Sequence, residues 1–334
     1  MGKKLSIGIV GLPNVGKSTL FKALTNQDIT IANYPFATID PNVGIVPVPD
    51  ERLQALTDLS KSKKTIPAVV EFYDIAGLVK GANKGEGLGN QFLSHIRDTQ
   101  AIVVVLRVFK DDTVIHVENS VDPIRDMDII TGELMLKDLE TVEKRLSSLE
   151  KEARAGDKAA VHNQEVLNQV RETISEGRLI TDLAEEDVVK ELQLLSAKKQ
   201  FYLLNGQPEE VPHDLAEKII ALGAEYVALD LSDAQGALPQ LVAKAYVILD
   251  LISFFTTGED ETRAWTITRG TLAPEAAGTI HTDFEQRFIR AEVVPYDKLV
   301  EAKGWAGAKQ KGWMRLEGKE YMMQDGDVIV VRHG

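Results

Sequence analysis

The chain has 334 residues, a formal net charge of -13, 44% hydrophobic residues and no cysteine. Its length suits two or three compact domains, and the lack of cysteine excludes disulfides, thiolate metal sites and thiol redox chemistry. The acidic charge argues against binding of polyanions over the whole surface, so we expect no direct binding of DNA. The most apolar run, residues 101–109, is short and contains Arg107, so we expect no membrane contact and a cytoplasmic location.

The first 125 residues alternate strand-like runs with helical patterns, which predicts a parallel sheet covered by helices on both faces. Residues 5–12, 68–74 and 101–109 give the clearest buried strands, and strand patterns return at 201–205 and 226–231. We therefore predict one α/β domain formed by residues 1–126 and 199–250. The segment between these two parts is predicted to be an insertion.

Residues 127–198 have the periodicity of amphipathic helices, since apolar side chains recur every three or four positions. The two stripes contain Leu136, Leu139, Val142, Leu146, Leu149 and Ala153, then Val166, Val170 and Ile174. This pattern predicts two antiparallel helices that form an arm. A solvated arm without chemistry is the simplest interpretation, and a partner site on its surface is the alternative. Residues 251–334 are predicted to form a C-terminal domain, a small mixed sheet around one helix near 281–288.

The strongest motif is Gly11-Leu-Pro-Asn-Val-Gly16-Lys17-Ser18, which lies between a predicted strand and a predicted helix. This G-x-x-x-x-G-K-S spacing is that of a P-loop. Its glycines let main-chain N–H groups turn toward a β-phosphate, the lysine reaches the β- and γ-phosphates, and the serine ligates Mg²⁺. The predicted phosphate-binding residues are Asn14, Val15, Gly16, Lys17, Ser18 and Thr19.

Two further segments complete the predicted phosphate site. Asp74-Ile-Ala-Gly77 follows a strand, so Asp74 can hold a magnesium-bound water while the Gly77 N–H approaches the γ-phosphate. Thr38 lies in the polar, proline-containing segment 33–41 and is the predicted second hydroxyl ligand of the metal, beside Ser18. An ordinary turn at 74–77 and an ordinary loop threonine are the alternatives.

The group that orients the attacking water is unusual. In Ras-like enzymes a glutamine follows D-x-x-G and performs this role, whereas here that residue is Leu78. An aliphatic side chain cannot hydrogen-bond water, so we expect slow intrinsic hydrolysis or help from another group. His95 and His116 are candidates, although a structural histidine is the more frequent role. The predicted catalytic residues are Lys17, Gly77 and His116.

Longer stretches carry a family resemblance. With GLPNVGKST, NYPFATIDPNVG and DIAGLVKGANKGEGLGNQFLSHIRD taken together, the chain resembles the YchF family of Obg-like ATPases, within the translation-factor-related P-loop GTPases. The likeness continues through GEDETRAWTITRGTLAPEAAGTIHTDFEQRFIRAEVV to EGKEYMMQDGDVIVV. The resemblance implies a G domain with an inserted helical hairpin and a C-terminal TGS domain of β-grasp fold. It also implies association with the ribosome or its large subunit, preference for ATP over GTP, and hydrolysis with a hydrophobic residue in place of the glutamine.

The resemblance also bears on the base. GTPases of this class read guanine with N-K-x-D, and ATP-preferring members resemble N-x-x-E at the same strand end. Here Asn205 is followed by Gly206, Gln207 and Pro208, so neither acid is in place, and the nearest acids are the two glutamates after the proline. Main-chain groups around Gly206 and Gln207 could serve adenine. We therefore predict that Asn205, Gly206 and Gln207 bind the base, with ATP favoured over GTP.

The resulting prediction is a Mg²⁺-dependent, ribosome-associated ATPase that acts as a nucleotide-dependent switch. A GTP-specific switch GTPase and a scaffold that binds ATP with negligible hydrolysis are the alternatives. A small-molecule kinase is disfavoured, because DIAG stands at the γ-phosphate and no lid or acceptor pocket is recognisable. Basic clusters at 61–64 and 303–311 could touch rRNA, and a solvated face is the simpler interpretation of both.

Overall fold

The structure, a computed structural model, describes residues 6–25, 43–74, 96–109 and 120–334. Within these ranges no helix is long and apolar enough to cross a membrane. The N-terminal part contains β1 (Ser6–Val10), α1 (Lys17–Thr25), β2 (Val43–Pro47), α2 (Glu51–Ser60), β3 (Thr65–Ile66), β4 (Val69–Asp74) and β5 (Ala101–Arg107). The middle part contains α3 (Pro123–Arg154), α4 (Lys158–Ser175), α5 (Asp187–Leu192), β6 (Lys199–Asn205), α6 (His213–Ala221), β7 (Glu225–Leu229) and α7 (Ala234–Ile248).

The C-terminal part begins at residue 251. It contains β8 (Leu251–Thr257), β9 (Thr262–Thr268), α8 (Ala273–Ile280), α9 (Thr282–Gln286), β10 (Phe288–Pro295), α10 (Tyr296–Glu301), α11 (Trp305–Gln310), β11 (Arg315–Glu317) and β12 (Asp327–His333). A helix lies near 281–288 as predicted, namely α9, but the prediction of a single helix is wrong because four helices lie in this part. The longest of them, α8, has an alanine-rich sequence with a proline in its first turn, where proline's fixed φ suits a helix start.

The first sheet positions the predicted nucleotide site. Its strand order is β2-β4-β1-β5-β6-β7, and all strands are parallel except β2, which runs antiparallel to β4. Every residue of β1 and β5 is buried, as expected for central strands covered on both faces. Because β4, β1, β5, β6 and β7 run in the same direction, their carboxyl ends meet at one edge, where ligands of such sheets bind.

Helices α3 and α4 pack against each other and share a hydrophobic cluster of their own. Val142, Leu146 and Leu149 of α3 meet Val166 and its neighbours on α4 in that cluster. Each helix starts at an aspartate whose carboxylate accepts main-chain N–H groups of the first turn, which is a favourable N-cap. The predicted apolar stripe differs from the structure at Leu136, whose side chain is 48% exposed.

Asp138 ties α3 to the beginning of β6. Its buried carboxylate accepts hydrogen bonds from Leu195 N at 2.8 Å, Ser196 N at 2.7 Å and Ser196 Oγ at 2.6 Å. Burial raises the pKa of Asp138, and the three hydrogen bonds oppose that rise. Nearby, Lys198 Nζ donates to the carbonyl oxygens of Arg97, at 2.8 Å, and Thr99, and burial lowers the pKa of Lys198 to about 8.

The second sheet has the order β11-β10-β12-β8-β9-β3. One face packs on α8 through Ala273, Ala276 and Ala277, and the other contributes Phe255 and Val328 to the core of the first sheet. Its last strand, β3, comes from the N-terminal part and pairs with β9. The second sheet is therefore not built from residues 251–334 alone.

Arg52 strengthens the junction between the two sheets. Its guanidinium donates to Asp50 at 2.7 Å and to Asp325 at 2.8 Å, and it lies 5.0 Å from the ring centroid of Phe255. Asp50 belongs to the turn before α2 and Asp325 to the turn before β12. One side chain thus joins residues that are far apart in sequence.

Candidate functional site

The loop after β1 has the backbone of a phosphate-binding turn. Asn14 and Gly16 have φ values of 62° and 107°, a region that favours glycine. A Cβ atom on Gly11 would lie 2.7 Å from the carbonyl oxygen of Val105, and one on Gly16 would lie 2.4 Å from Asn205 Nδ2. Both glycines are therefore required for the close approach of the loop to its neighbours.

Lys17 begins α1 and folds back over this loop. Its buried Nζ donates to the carbonyl oxygens of Gly11 at 2.7 Å and Leu12 at 2.6 Å. The first helical hydrogen bond joins Leu20 N to Gly16 O at 3.0 Å. The first N–H groups of a helix have no intrahelical acceptors, and the helix dipole adds positive potential there. The lysine and the helix start together create a site suited to an anion.

The predicted metal ligands are only partly within the described residues. Ser18 is exposed at the second position of α1. Asp74 is the last residue of β4, and its main chain pairs with Ile9, one residue before the end of β1. Thr38, Gly77 and His116 lie outside the described residues, as do Leu78 and His95, so their predicted roles stay predictions.

Asn205 links the end of β6 to the phosphate loop. Its side chain is only 4% exposed. Nδ2 donates to the carbonyl oxygen of Val15 at 2.9 Å, and Oδ1 accepts from Leu231 N at 3.0 Å. The structure thus brings together Asn205 and the loop residues predicted from sequence. Both polar ends of this side chain are used inside the protein, so Asn205 holds three segments in register.

The residues after Asn205 form a short 3-10 turn, residues 208–210. The N–H of Gly206 donates to Leu229 O at 3.2 Å, and the N–H of Gln207 donates to Glu210 Oε2 at 2.8 Å. Main-chain groups here are predicted to serve the base, but these two donors already have acceptors within the protein. Glu210, one of the two acids near the base motif, caps this turn.

Sequence reasoning missed Asp230, which follows β7. Its carboxylate accepts from Ser232 N at 2.8 Å and from Gln207 Nε2 at 2.9 Å. The Ser232 N–H is the main reason that the pKa of Asp230 lies below its usual value, and the Ser232 hydroxyl and the Gln207 amide add to it. The sequence signal was the order Asp-Leu-Ser, since aspartate often accepts from the main chain two residues on. This signal gave no sign of the contact with Gln207.

The described residues contain no group of three or more His, Asp or Glu side chains that could hold a metal by themselves. Mg²⁺ in nucleotide hydrolases is bound by one or two protein oxygens, waters and the phosphates of the substrate. A lone serine hydroxyl beside an anion site fits that mode of binding. The arrangement can therefore hold a metal together with phosphates, and not as a separate protein cage.

Comparison with known proteins gives two matches to protein families. Residues 6–145 match a family described as a 50S ribosome-binding GTPase, and residues 251–334 match the C-terminal family of YchF GTPases, described as a protein of unknown function. The chain is 47% identical to "Ribosome-binding ATPase YchF" of Bacillus subtilis, over 98% of this chain and 99% of that protein. It is 42% identical to the protein of the same name from Escherichia coli O157:H7, over 96% and 97%.

A solved structure gives the same result. The chain resembles the YchF GTPase of Schizosaccharomyces pombe with a TM-score of 0.84 and 38% identity, over 99% of this chain and 98% of that one. The bacterial relatives are named ATPases and the yeast protein a GTPase. The bacterial relatives and the solved structure therefore agree on the fold and the family, while their names give different nucleotides as the substrate.

Proposed function

The chain belongs to the YchF family, and from this premise we propose that it is a Mg²⁺-dependent, ribosome-associated switch that hydrolyses ATP in preference to GTP. The observation that carries the proposal is the phosphate loop. Lys17 lies buried over that loop at the start of α1, and Asn205 joins the loop to the strand ends where a base would lie. A helix N-terminus and a lysine beside a glycine-containing loop suit a phosphate anion.

The metal would be held by Ser18 and, through water, by Asp74, with Thr38 as a second hydroxyl ligand. When bound, Mg²⁺ would neutralise charge that develops on the phosphate oxygens. Lys17 would lie along the β- and γ-phosphates, and the Gly77 N–H would contact the γ-phosphate. These groups position the phosphates and stabilise charge, which is most of what phosphoryl transfer requires.

Leu78 is proposed to occupy the place of the water-orienting glutamine. Without a hydrogen-bonding group there, the attacking water is positioned only when another residue or a partner supplies one. His116 and His95 are the candidates within the chain, and His116 is the one proposed as catalytic. The enzyme is therefore expected to turn over slowly alone and faster on its partner, which is the behaviour of a switch.

The other parts of the chain are assigned to partner contact. Residues 127–198 are proposed to be an arm inserted into the nucleotide-binding domain of residues 1–126 and 199–250. Residues 251–334 are proposed to form a TGS domain of β-grasp fold, which also takes β3 from the N-terminal part. The names of the relatives support the ribosome as partner, the matched family points to the large subunit, and a cytoplasmic location follows from such a partner.

The experiment is a single-turnover assay with purified protein, comparing ATP with GTP, with and without ribosomes, and with Mg²⁺ or EDTA. ATP hydrolysis should exceed GTP hydrolysis, depend on Mg²⁺ and increase with ribosomes. Faster GTP turnover would support the GTP-specific alternative. ATP binding without turnover, even on ribosomes, would support the scaffold. The Lys17→Ala variant should lose phosphate binding in every case and serves as the control for the site.

A further inference from the structure

The position of a purine follows from the order of strands. The phosphate loop follows β1, and Asp74, proposed to face the γ-phosphate side, ends β4. On the other side of β1 come β5, β6 and β7. At about 4.8 Å per strand, β6 and β7 lie roughly 10 and 14 Å from β1. A ribose and base that extend away from the γ-phosphate therefore reach the ends of β6 and β7.

Contacts confirm that these strand ends adjoin the phosphate loop. Asn205, at the end of β6, bonds to Val15 and to Leu231. A Cβ atom on Gly16 would lie 3.1 Å from Leu231 Cδ1. Asp230, directly before Leu231, thus lies at the rim of the phosphate site, within one residue of the side chain that packs on the loop.

Most polar groups at this rim are already used. The side-chain amide of Asn205 hydrogen-bonds to other protein groups through both its nitrogen and its oxygen. The N–H groups of Gly206 and Gln207 bond to Leu229 and Glu210. Among the described residues the rim is consequently poor in main-chain N–H donors, which favours recognition of the base by a side chain.

Asp230 retains acceptor capacity. An ionised carboxylate has about four acceptor positions, and in the structure it receives Ser232 N, Gln207 Nε2 and the Ser232 hydroxyl. The two N–H bonds fix the plane of the carboxylate, one on each oxygen, and one acceptor position is left for a ligand. Gln207 is exposed, and its side-chain amide donates to Asp230. Gln207 therefore acts as a residue that positions the Asp230 carboxylate.

A carboxylate selects bases by their donors. Adenine carries a 6-amino donor, whereas guanine has an oxygen at that position, which a carboxylate repels. We propose that Asp230 recognises the base by accepting a hydrogen bond from the 6-amino group of adenine. The proposal rests on the proposed ATPase function and deepens it. The acidic residue of the N-x-x-E pattern is absent here, since Pro208 stands at its position after β6. Asp230, at the end of the neighbouring strand β7, would take its place.

The test compares ligands that differ at one group. Calorimetry with Mg²⁺ would measure binding of ATP, purine riboside triphosphate, which lacks the 6-amino group, GTP and base-free tripolyphosphate. Wild-type protein should bind ATP about tenfold or more tightly than purine riboside triphosphate, which is typical of one hydrogen bond to a charged group. In Asp230→Asn that ratio should fall to within about twofold, because the amide can turn a donor toward the base.

Two controls separate recognition from folding and from charge. Asp230→Asn keeps an oxygen for Ser232 N and should bind tripolyphosphate like the wild type. Asp233→Asn removes the same charge three residues on, where the carboxylate caps α7 by accepting from Gly236 N at 3.2 Å, and should keep the wild-type ratio.

The outcomes are distinct. An unchanged ratio in Asp230→Asn, an equal loss in Asp233→Asn, or a loss of tripolyphosphate binding in Asp230→Asn would each overturn the assignment of Asp230. The same holds if the wild type binds ATP and purine riboside triphosphate equally, or if Asp230→Asn loses GTP and not ATP. Failure of the wild-type protein to bind any of the nucleotides would instead overturn the proposed function.

Discussion

Replacing Asn205 with leucine tests how the base strand holds the phosphate loop. Leucine is similar in size but leaves the Val15 carbonyl and the Leu231 N–H without their buried partners. A buried polar group without a partner costs about 1–3 kcal/mol, so the two together should destabilise this region by about 2–6 kcal/mol. The Leu231 amide reports the effect directly, because its acceptor is the side chain that is removed.

Hydrogen–deuterium exchange resolved to the Leu231 amide is the measurement. A loss of about 2 kcal/mol in the free energy of local opening corresponds to roughly 30-fold faster exchange. The Ser196 amide is the internal control, because it bonds to Asp138 at 2.7 Å before the opposite end of β6, and its rate should not change. A change of less than about threefold at Leu231 would refute the assignment of Asn205 as the brace of this site.

Three other variants test the loop, the pH response and the sheet junction. Gly16→Ala should abolish ATP binding, because the φ of Gly16 is 107° and the added Cβ would lie 2.4 Å from Asn205 Nδ2. The control is Gly223→Ala, where φ is 73° and the surrounding space is open; this variant should lose only about 1–2 kcal/mol of stability and still bind ATP. Equal ATP binding by both variants would contradict this prediction. The pKa of Lys198 is lowered to about 8 from 10.5, so between these pH values the unfolded chain binds more protons than the folded one, and the free energy of unfolding should rise with pH. Urea titrations at several pH values would measure this rise, which Lys198→Met should lack. A wild-type protein whose stability does not rise across this window would contradict the shift. Arg52→Met should weaken the junction with Asp325 and lower the melting temperature in calorimetry, whereas Lys63→Met, which removes an exposed pair with Asp260 at 2.8 Å, should change it little.

Local signals predicted the parts of the site that depend on sequence neighbours. The glycines and lysine of the P-loop act within eight residues, so their motif alone placed the strand, the loop and the helix correctly. The apolar stripes of α3 and α4 were likewise legible, since packing repeats with the helical period. Leu136 lies on the apolar side of its helix but is exposed. Periodicity predicts which side of a helix is apolar, and it does not show how far along the helix another element covers that side.

Contacts between distant segments were not predictable in this way. Asp230 and Gln207 are 23 residues apart, and their bond exists only because β6 and β7 end side by side. The use of the Gly206 and Gln207 N–H groups also depends on the local turn and on β7, which the letters Asn-Gly-Gln-Pro do not reveal. The pairing of β3 with β9 had no signal, since two residues are too few for a strand pattern.

That pairing has a consequence for how the protein is made. Thr65 and Ile66 need Thr262 and Arg263 as partners, and about 200 residues of chain separate them, which takes on the order of 10 to 40 s to synthesise. During this interval the face of α2 that later packs on β8 and β9 has no cover. The second sheet is thus completed only when β9 has left the ribosome, and in a nascent chain truncated before residue 262 this face of α2 stays uncovered.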